Sequence, residues 1–208
     1  MNRSYKLIFL IPLIIFGCKN NEIDERYLSQ SINTLDMNIF SKNGEKLLSI
    51  KSPHSEFDKE RNTFNLKETT INLFKDKKLE YIINSDKSKL SNNNKLIELN
   101  GNVLVNTITQ KDDKLTANSF TWNIQNSEYL LEGNVKLENS SVTLSSNKAI
   151  LKKSDNMIEF FNPVKYKING STKDSGYQIN SENAFYNIDT KSLNFISKEE
   201  RVRSKIYF

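Results

Sequence analysis

Apolar and polar residues alternate along most of the chain, in short runs that are separated by polar turns. In residues 97–105, for example, Ile97, Leu99 and Val103 share one face, and polar residues occupy the other. A two-residue period with one apolar face is typical of a strand in a sheet that buries one side. The pattern predicts an all-β protein from Met37 onward. The same period recurs in two later runs, residues 129–137 and 158–168.

Turn-forming dipeptides divide these runs and predict antiparallel strands joined by hairpins. Asn43-Gly44 and Asn169-Gly170 are examples, and such pairs mark tight connections between strands. β-Branched and aromatic residues are common within the runs, as expected for strands. We therefore expect a sheet built from repeated hairpins rather than a helical protein.

An internal repeat is visible when the hairpins are aligned. Asp86 is followed sixteen residues later by Asn102 in Leu99-Asn-Gly-Asn-Val103, and Asn118 is followed sixteen later by Asn134 in Leu131-Glu-Gly-Asn-Val135. Each copy begins with Ala or Ser and has the form strand, turn and return strand. The copies begin at Ser52, Ser85, Ala117, Ser146 and Ser181.

One position of the repeat carries a residue that disturbs a strand. Gly101 and Gly133 occupy it in two copies, and Asn162-Pro163 occupies it in a third. Glycine in a strand often marks a bulge or bend, and proline cannot donate to the ladder. We therefore predict that successive strands bend at one height, which curls the sheet. The copy at Glu68-Thr69 lacks the glycine, and its apolar residues change phase, which predicts a bulge there.

A curled sheet with one apolar face must cover that face by closing on itself or by folding into a sandwich. The inward phase contains many aromatic residues. Two interpretations remain open at this stage, a filled core and a groove that holds an apolar ligand. The groove-facing candidates are Phe57, Leu99, Val103, Phe120, Trp122, Leu131, Val135, Phe160, Val164 and Tyr166.

The N-terminus is typical of an exported lipoprotein. Arg3 and Lys6 precede an apolar run that is too short to span a bilayer, which requires about 20 residues. The run ends in Gly17-Cys18, which resembles the bacterial lipobox, whose cysteine carries the lipid. An uncleaved short anchor is the alternative. We expect a signal peptide over residues 1–18, a polar tether over 19–36, and a β-domain over 37–208.

Composition excludes several classes of chemistry. The chain has 208 residues, one Cys and one His, so an internal disulfide and a Cys/His zinc cluster are excluded. The net charge of +5 is mild and gives no reason to expect a nucleic-acid partner. His54 and the carboxylate pairs Asp112-Asp113 and Glu199-Glu200 are interpreted as solvated surface. We expect no enzyme activity, no metal and no cofactor.

Together, the N-terminal anchor and the Leu-x-Gly-Asn-Val hairpins resemble the LptC family, the membrane-anchored periplasmic component of the lipopolysaccharide export ABC transporter. They also resemble the wider superfamily that includes the soluble bridge protein LptA. The resemblance covers residues 37–168 best. It implies a single twisted β-jellyroll, an open half-pipe of antiparallel strands.

The resemblance also implies a function. In this family the acyl chains of lipid A lie inside the jellyroll, which receives lipopolysaccharide from the periplasmic jellyroll of the transporter permease and passes it to an LptA-like bridge protein. A C-terminal strand is expected to offer its unpaired edge to that partner through Val202, Ile206 and Phe208. The location implied is the periplasm, with an inner-membrane tether or, alternatively, an outer-membrane one. The alternative function is a structural or peptide-binding envelope lipoprotein.

Overall fold

The computed structural model describes residues 29–91, 93, 95–108, 113–126, 128–152, 156–169, 176–199 and 201–207. These residues form fourteen strands in one continuous antiparallel sheet, and most strands pair with the next strand in sequence. The predicted all-β fold is confirmed. The strands are β1 Ser29–Phe40, β2 Lys46–Asp58, β3 Thr63–Lys75, β4 Lys78–Ser91, β5 Leu96–Thr107, β6 Lys114–Asn123, β7 Glu128–Glu138, β8 Val142–Lys152, β9 Met157–Phe161, β10 Val164–Asn169, β11 Gly176–Ser181, β12 Asn183–Asn187, β13 Leu193–Ile196 and β14 Arg203–Tyr207.

The short strands at the C-terminal end are halves of longer ones. One part of β8 pairs with β9 and its other part pairs with β10, so β9 and β10 together form one strand interrupted at Pro163. Likewise, β11 pairs with β10 and β12 pairs with β9, with Glu182 between them. The sheet is therefore divided along its length by a line of interruptions, as the sequence repeat predicts.

The line of interruptions separates two facing sheets. We call them sheet I and sheet II. A single layer would leave its apolar face in water, yet Leu99 of sheet I and Val103 of sheet II are each 1% exposed. Tyr166 of sheet II also contacts Phe195 of sheet I, with ring centroids 5.4 Å apart. Sheet I contains residues 54–58, 63–67, 87–91, 96–100, 119–123, 128–132 and 148–152 with β9, β12 and β13, and sheet II contains residues 46–51, 69–75, 78–84, 103–107, 114–117, 135–138 and 142–145 with β10, β11 and β14.

Backbone conformations that most residues avoid produce the bend. Gly101 and Asn102 have φ angles of +78° and +45°, and Gly133 and Asn134 have +72° and +50°. The sheet register shifts at both places. The bulge expected at Glu68-Thr69 is wrong, because β3 keeps its register with β2 and β4 across Glu68; the positive φ of Glu68, +51°, changes the phase of the apolar residues there instead. The predicted bend at one height is confirmed.

Side-chain amides join neighbouring strands on the outside of the bend. Asn102 Nδ2 donates to Asp86 Oδ2 at 2.9 Å, and Asn134 Nδ2 donates to Asn118 Oδ1 at 3.4 Å. Both bonds connect residues sixteen apart in sequence. The two residues of each bond face each other across one hairpin, and this explains the sixteen-residue spacing of the repeat.

The expected tether over residues 19–36 is wrong for residues 29–36, which form most of β1 and pair with β2. Leu35, Met37 and Ile39 alternate along this strand and pack against the core. Ser55 Oγ also donates to the carbonyl of Ile32 at 2.8 Å. The signal-peptide prediction, Cys18 and residues 19–28 lie outside the described residues.

We predict that Gly133→Ala destabilises the protein more than Gly44→Ala. Both glycines have a positive φ, so alanine is strained at either position. A Cβ at Gly133 would also lie 2.9 Å from the Cβ of Asn118, whereas no described residue lies within 4 Å of one at Gly44. Overpacking of this kind makes the Gly133 variant the less stable by about 1 kcal/mol or more. Urea unfolding measures the difference, and equal losses would contradict this account of the bend.

Candidate functional site

Eight of the ten predicted groove residues lie in the space between the two sheets and are buried there. Phe57 and Tyr166 are half-buried. Tyr166 packs against the buried cluster, and Phe57 stacks on Phe64 with ring centroids 4.6 Å apart. The structure therefore places the candidates on one continuous inner face. The eight buried residues are Leu99, Val103, Phe120, Trp122, Leu131, Val135, Phe160 and Val164.

The inner face is packed by its own side chains in this structure. Phe160, Val135 and Val164 are 0% exposed. A cavity of about 510 Å³ lies instead beside the bend, near Pro163 and the segment that joins β13 to β14. The filled-core interpretation thus describes the closed arrangement seen here.

Aromatic side chains with polar ends line the inner face near the hairpin turns, on the side opposite the bend. We call this side of each sheet its hairpin end. Trp122 stacks near Tyr129 with ring centroids 5.2 Å apart, next to the turn between β6 and β7. The Nε1 atom of Trp122 is buried and has no hydrogen-bond partner among the described residues. Such residues suit a boundary between an apolar interior and water.

Two tyrosines from opposite sheets approach each other at this end. Burial, with smaller contributions from Tyr81 and then Glu80, raises the pKa of Tyr129 to about 12. Burial also raises the pKa of Tyr81, with further contributions from Glu80 and Asp189. Because Tyr129 belongs to sheet I and Tyr81 to sheet II, the contribution of Tyr81 to the pKa of Tyr129 indicates that the hairpin ends of the two sheets lie close together.

The C-terminal residues form the predicted final strand. β14 pairs with β11, and no described strand pairs with the other side of β14. Val202 is 44% exposed and Ile206 is 61% exposed. Phe208 lies outside the described residues.

One surface assignment from the sequence is wrong. Asp113 is not fully solvated, since its side chain is 21% exposed and its Oδ1 accepts a hydrogen bond from Asn139 Nδ2 at 3.0 Å. His54 and Glu199 are exposed, as expected. Within the described ranges, no group of three His, Cys, Asp or Glu side chains is placed to hold a metal ion.

Comparison with known proteins assigns the family. The model of the LptC-related lipopolysaccharide-assembly family matches residues 14–140, more than half of the chain. The chain belongs to the LptC family. Its role is therefore in lipopolysaccharide transport, and proteins of this family are periplasmic transport components.

A solved structure similar to this LptC-family chain is LptH, the LptA-homologous periplasmic component of the lipopolysaccharide transport device from Pseudomonas aeruginosa. The identity is 16% and the TM-score is 0.47, over 61% of this chain and 94% of LptH. A search of curated proteins finds no match. Among the described residues, no helix has the length and apolar character required to cross a bilayer.

We predict that Tyr129→Phe removes a pH dependence of stability. A folded-state pKa of about 12, above the ordinary 10.0, favours the folded protein fully below pH 10, and this contribution is lost as the pH rises towards 12. The loss amounts to about 2–3 kcal/mol. Urea unfolding from pH 8 to 11.5 measures it in both proteins. The free energy of unfolding of the native protein should fall relative to that of the variant only above pH 10. A constant difference would contradict the raised pKa.

Proposed function

We propose that this protein carries lipopolysaccharide by holding the acyl chains of lipid A between sheets I and II. The continuous apolar inner face carries this proposal, because strands β1 to β10, β12 and β13 all contribute apolar residues to it. A carrier requires such a face and no reactive group. Family membership supplies the substrate class.

Loading requires the sheets to separate, because the inner face is filled in the closed arrangement. An acyl chain that enters would replace contacts between side chains with contacts to lipid, so the apolar surface stays out of water. Burying an acyl chain contributes about 0.8 kcal/mol per CH₂ group. The described strands join the sheets along the bend, and hence the hairpin ends can move apart without loss of the bend.

The two ends of the sheet suit head-to-tail docking. On its outer side β1 pairs with no described strand, and on one side β14 pairs with no described strand either. Unpaired strand edges are templates for adding a strand from another protein. We propose that the β1 edge receives lipopolysaccharide from the periplasmic jellyroll of the transporter permease. The C-terminal edge, through Val202, Ile206 and Phe208, would pass it to an LptA-like bridge protein.

The anchor proposed for this carrier is a lipid on Cys18, at the end of a signal peptide over residues 1–18. Such an anchor holds the β-domain in the periplasm at the inner membrane, and an outer-membrane location is the alternative result. Metabolic labelling with a fatty acid, with and without Cys18→Ser, followed by membrane separation, tests both points.

A structural or peptide-binding envelope lipoprotein is the second candidate. The complete burial of Phe160 and Val164 favours it, because an interior that stays closed leaves only the sheet edges for binding. The two candidates differ in whether lipid reaches the inner face.

Photocrosslinking in cells separates the candidates. A photoreactive phenylalanine analogue at Tyr166 replaces a half-buried aromatic side chain on the inner face, and Lys167 is the exposed control on the same strand. The carrier function predicts a crosslink to lipopolysaccharide at position 166 and none at 167. The absence of a crosslink at position 166, in a folded and membrane-attached protein, would favour the second candidate.

A further inference from the structure

An ion pair connects the two sheets at their hairpin ends. Lys191 Nζ, in the turn between β12 and β13 of sheet I, lies 3.8 Å from Asp113 Oδ2 at the start of β6 in sheet II. The ion pairs Lys51–Asp36 and Lys89–Glu98, by contrast, join neighbouring strands. The Asp113–Lys191 pair therefore crosses the side of the molecule that is opposite the bend.

Both partners of this pair are held in place. Asn139 Nδ2 donates a hydrogen bond to Oδ1, the other carboxylate oxygen of Asp113, at 3.0 Å. The backbone N–H of Lys191 donates to the carbonyl of Asn187 at 2.9 Å, and Asn187 Oδ1 accepts from the N–H of Thr190 at 2.8 Å. Hydrogen bonds within the turn therefore hold Lys191 in position, and Asp113 is held by Asn139.

Aromatic residues beneath the ion pair show that the sheets meet along a wider contact. Lys191 Nζ lies 6.0 Å from the ring centre of Tyr186. Burial raises the pKa of Tyr186, and the charge of Asp113 on the opposite sheet raises it further. Asp189, in the same turn as Lys191, raises the pKa of Tyr81 on sheet II. The two sheets therefore face each other across this place.

We propose that Asp113 and Lys191 form a latch over a side entrance to the space between the sheets. The inference rests on the proposed function, since it names the place where the acyl-chain ligand enters. The pair is partly exposed, with side-chain exposures of 21% and 43%, so it is a weak attraction that biases the sheets towards closure without blocking them.

Charge reversal at either partner tests the latch. Lys191→Glu places two carboxylates together and Asp113→Lys places two ammonium groups together, and each repulsion should raise the ratio of open to closed protein about fivefold or more. The double variant Asp113→Lys/Lys191→Glu restores the attraction and should restore closure.

The chain's single tryptophan provides the readout without any lipid. Trp122 is 7% exposed beside Tyr129 at the hairpin end, so opening exposes it to acrylamide in the full-length protein. Quenching of its fluorescence should increase in each single variant and return to the native value in the double variant. Native-like quenching in both single variants, or increased quenching in the double variant, would overturn the latch.

Two further variants keep the test decisive. Lys136→Glu makes the same charge change in an exposed pair on β7, where Lys136 Nζ lies 2.8 Å from Glu138 Oε2, and should leave the quenching unchanged. Lys191→Gln removes the attraction without repulsion and should give an intermediate increase in quenching even if the reversals unfold the protein.

Because lipid is absent from this experiment, a failure of the latch leaves the crosslinking result at Tyr166 standing. A working latch without that crosslink would contradict the carrier function instead.

Discussion

The fold depends on satisfying the backbone where every long strand bends at the same height. A carbonyl freed from the ladder at a buried bend is costly unless another donor reaches it. Buried serine hydroxyls are these donors. Each bonds to the carbonyl two residues further on, at 2.7 Å in Ser52, 3.3 Å in Ser85, 2.9 Å in Ser146 and 2.9 Å in Ser181.

The remaining architecture follows from this row of bends, at which serine hydroxyls bond to the backbone carbonyls. Outside the row, the amide bonds from Asn102 and Asn134 tie neighbouring strands together, and Gly133 leaves room for Asn118. Inside the row, each strand sends its apolar residues towards the opposite sheet. The two sheets are consequently joined by continuous strands along the bend, while at the hairpin ends they meet through side-chain contacts alone, among them the Asp113–Lys191 pair. This asymmetry is consistent with the proposed carrier, whose sheets separate on the side opposite the bend.

Local patterns predicted the features that depend on neighbours in sequence. The strand phase placed Leu99 and Phe160 on the inner face, and the repeated Gly-Asn pairs marked the bend. The start of β1 was missed because Thr34, with φ of +63°, interrupts the alternation between Ile32 and Leu35. The Asp113–Lys191 pair was missed because its partners are distant in sequence and both resemble ordinary turn charges. Sequence phase also did not distinguish a filled core from a groove, since both place the same residues inside.

The central claim is that acyl chains enter between the sheets, and fluorescence of Trp122 tests it most directly. The measurement titrates the purified full-length protein with lipopolysaccharide that carries brominated acyl chains, because bromine quenches only at short range. The account predicts strong quenching that unbrominated lipopolysaccharide does not produce and that unlabelled lipid reverses by competition. Binding without bromine-dependent quenching would contradict the account, because the acyl chains would then lie away from the inner face.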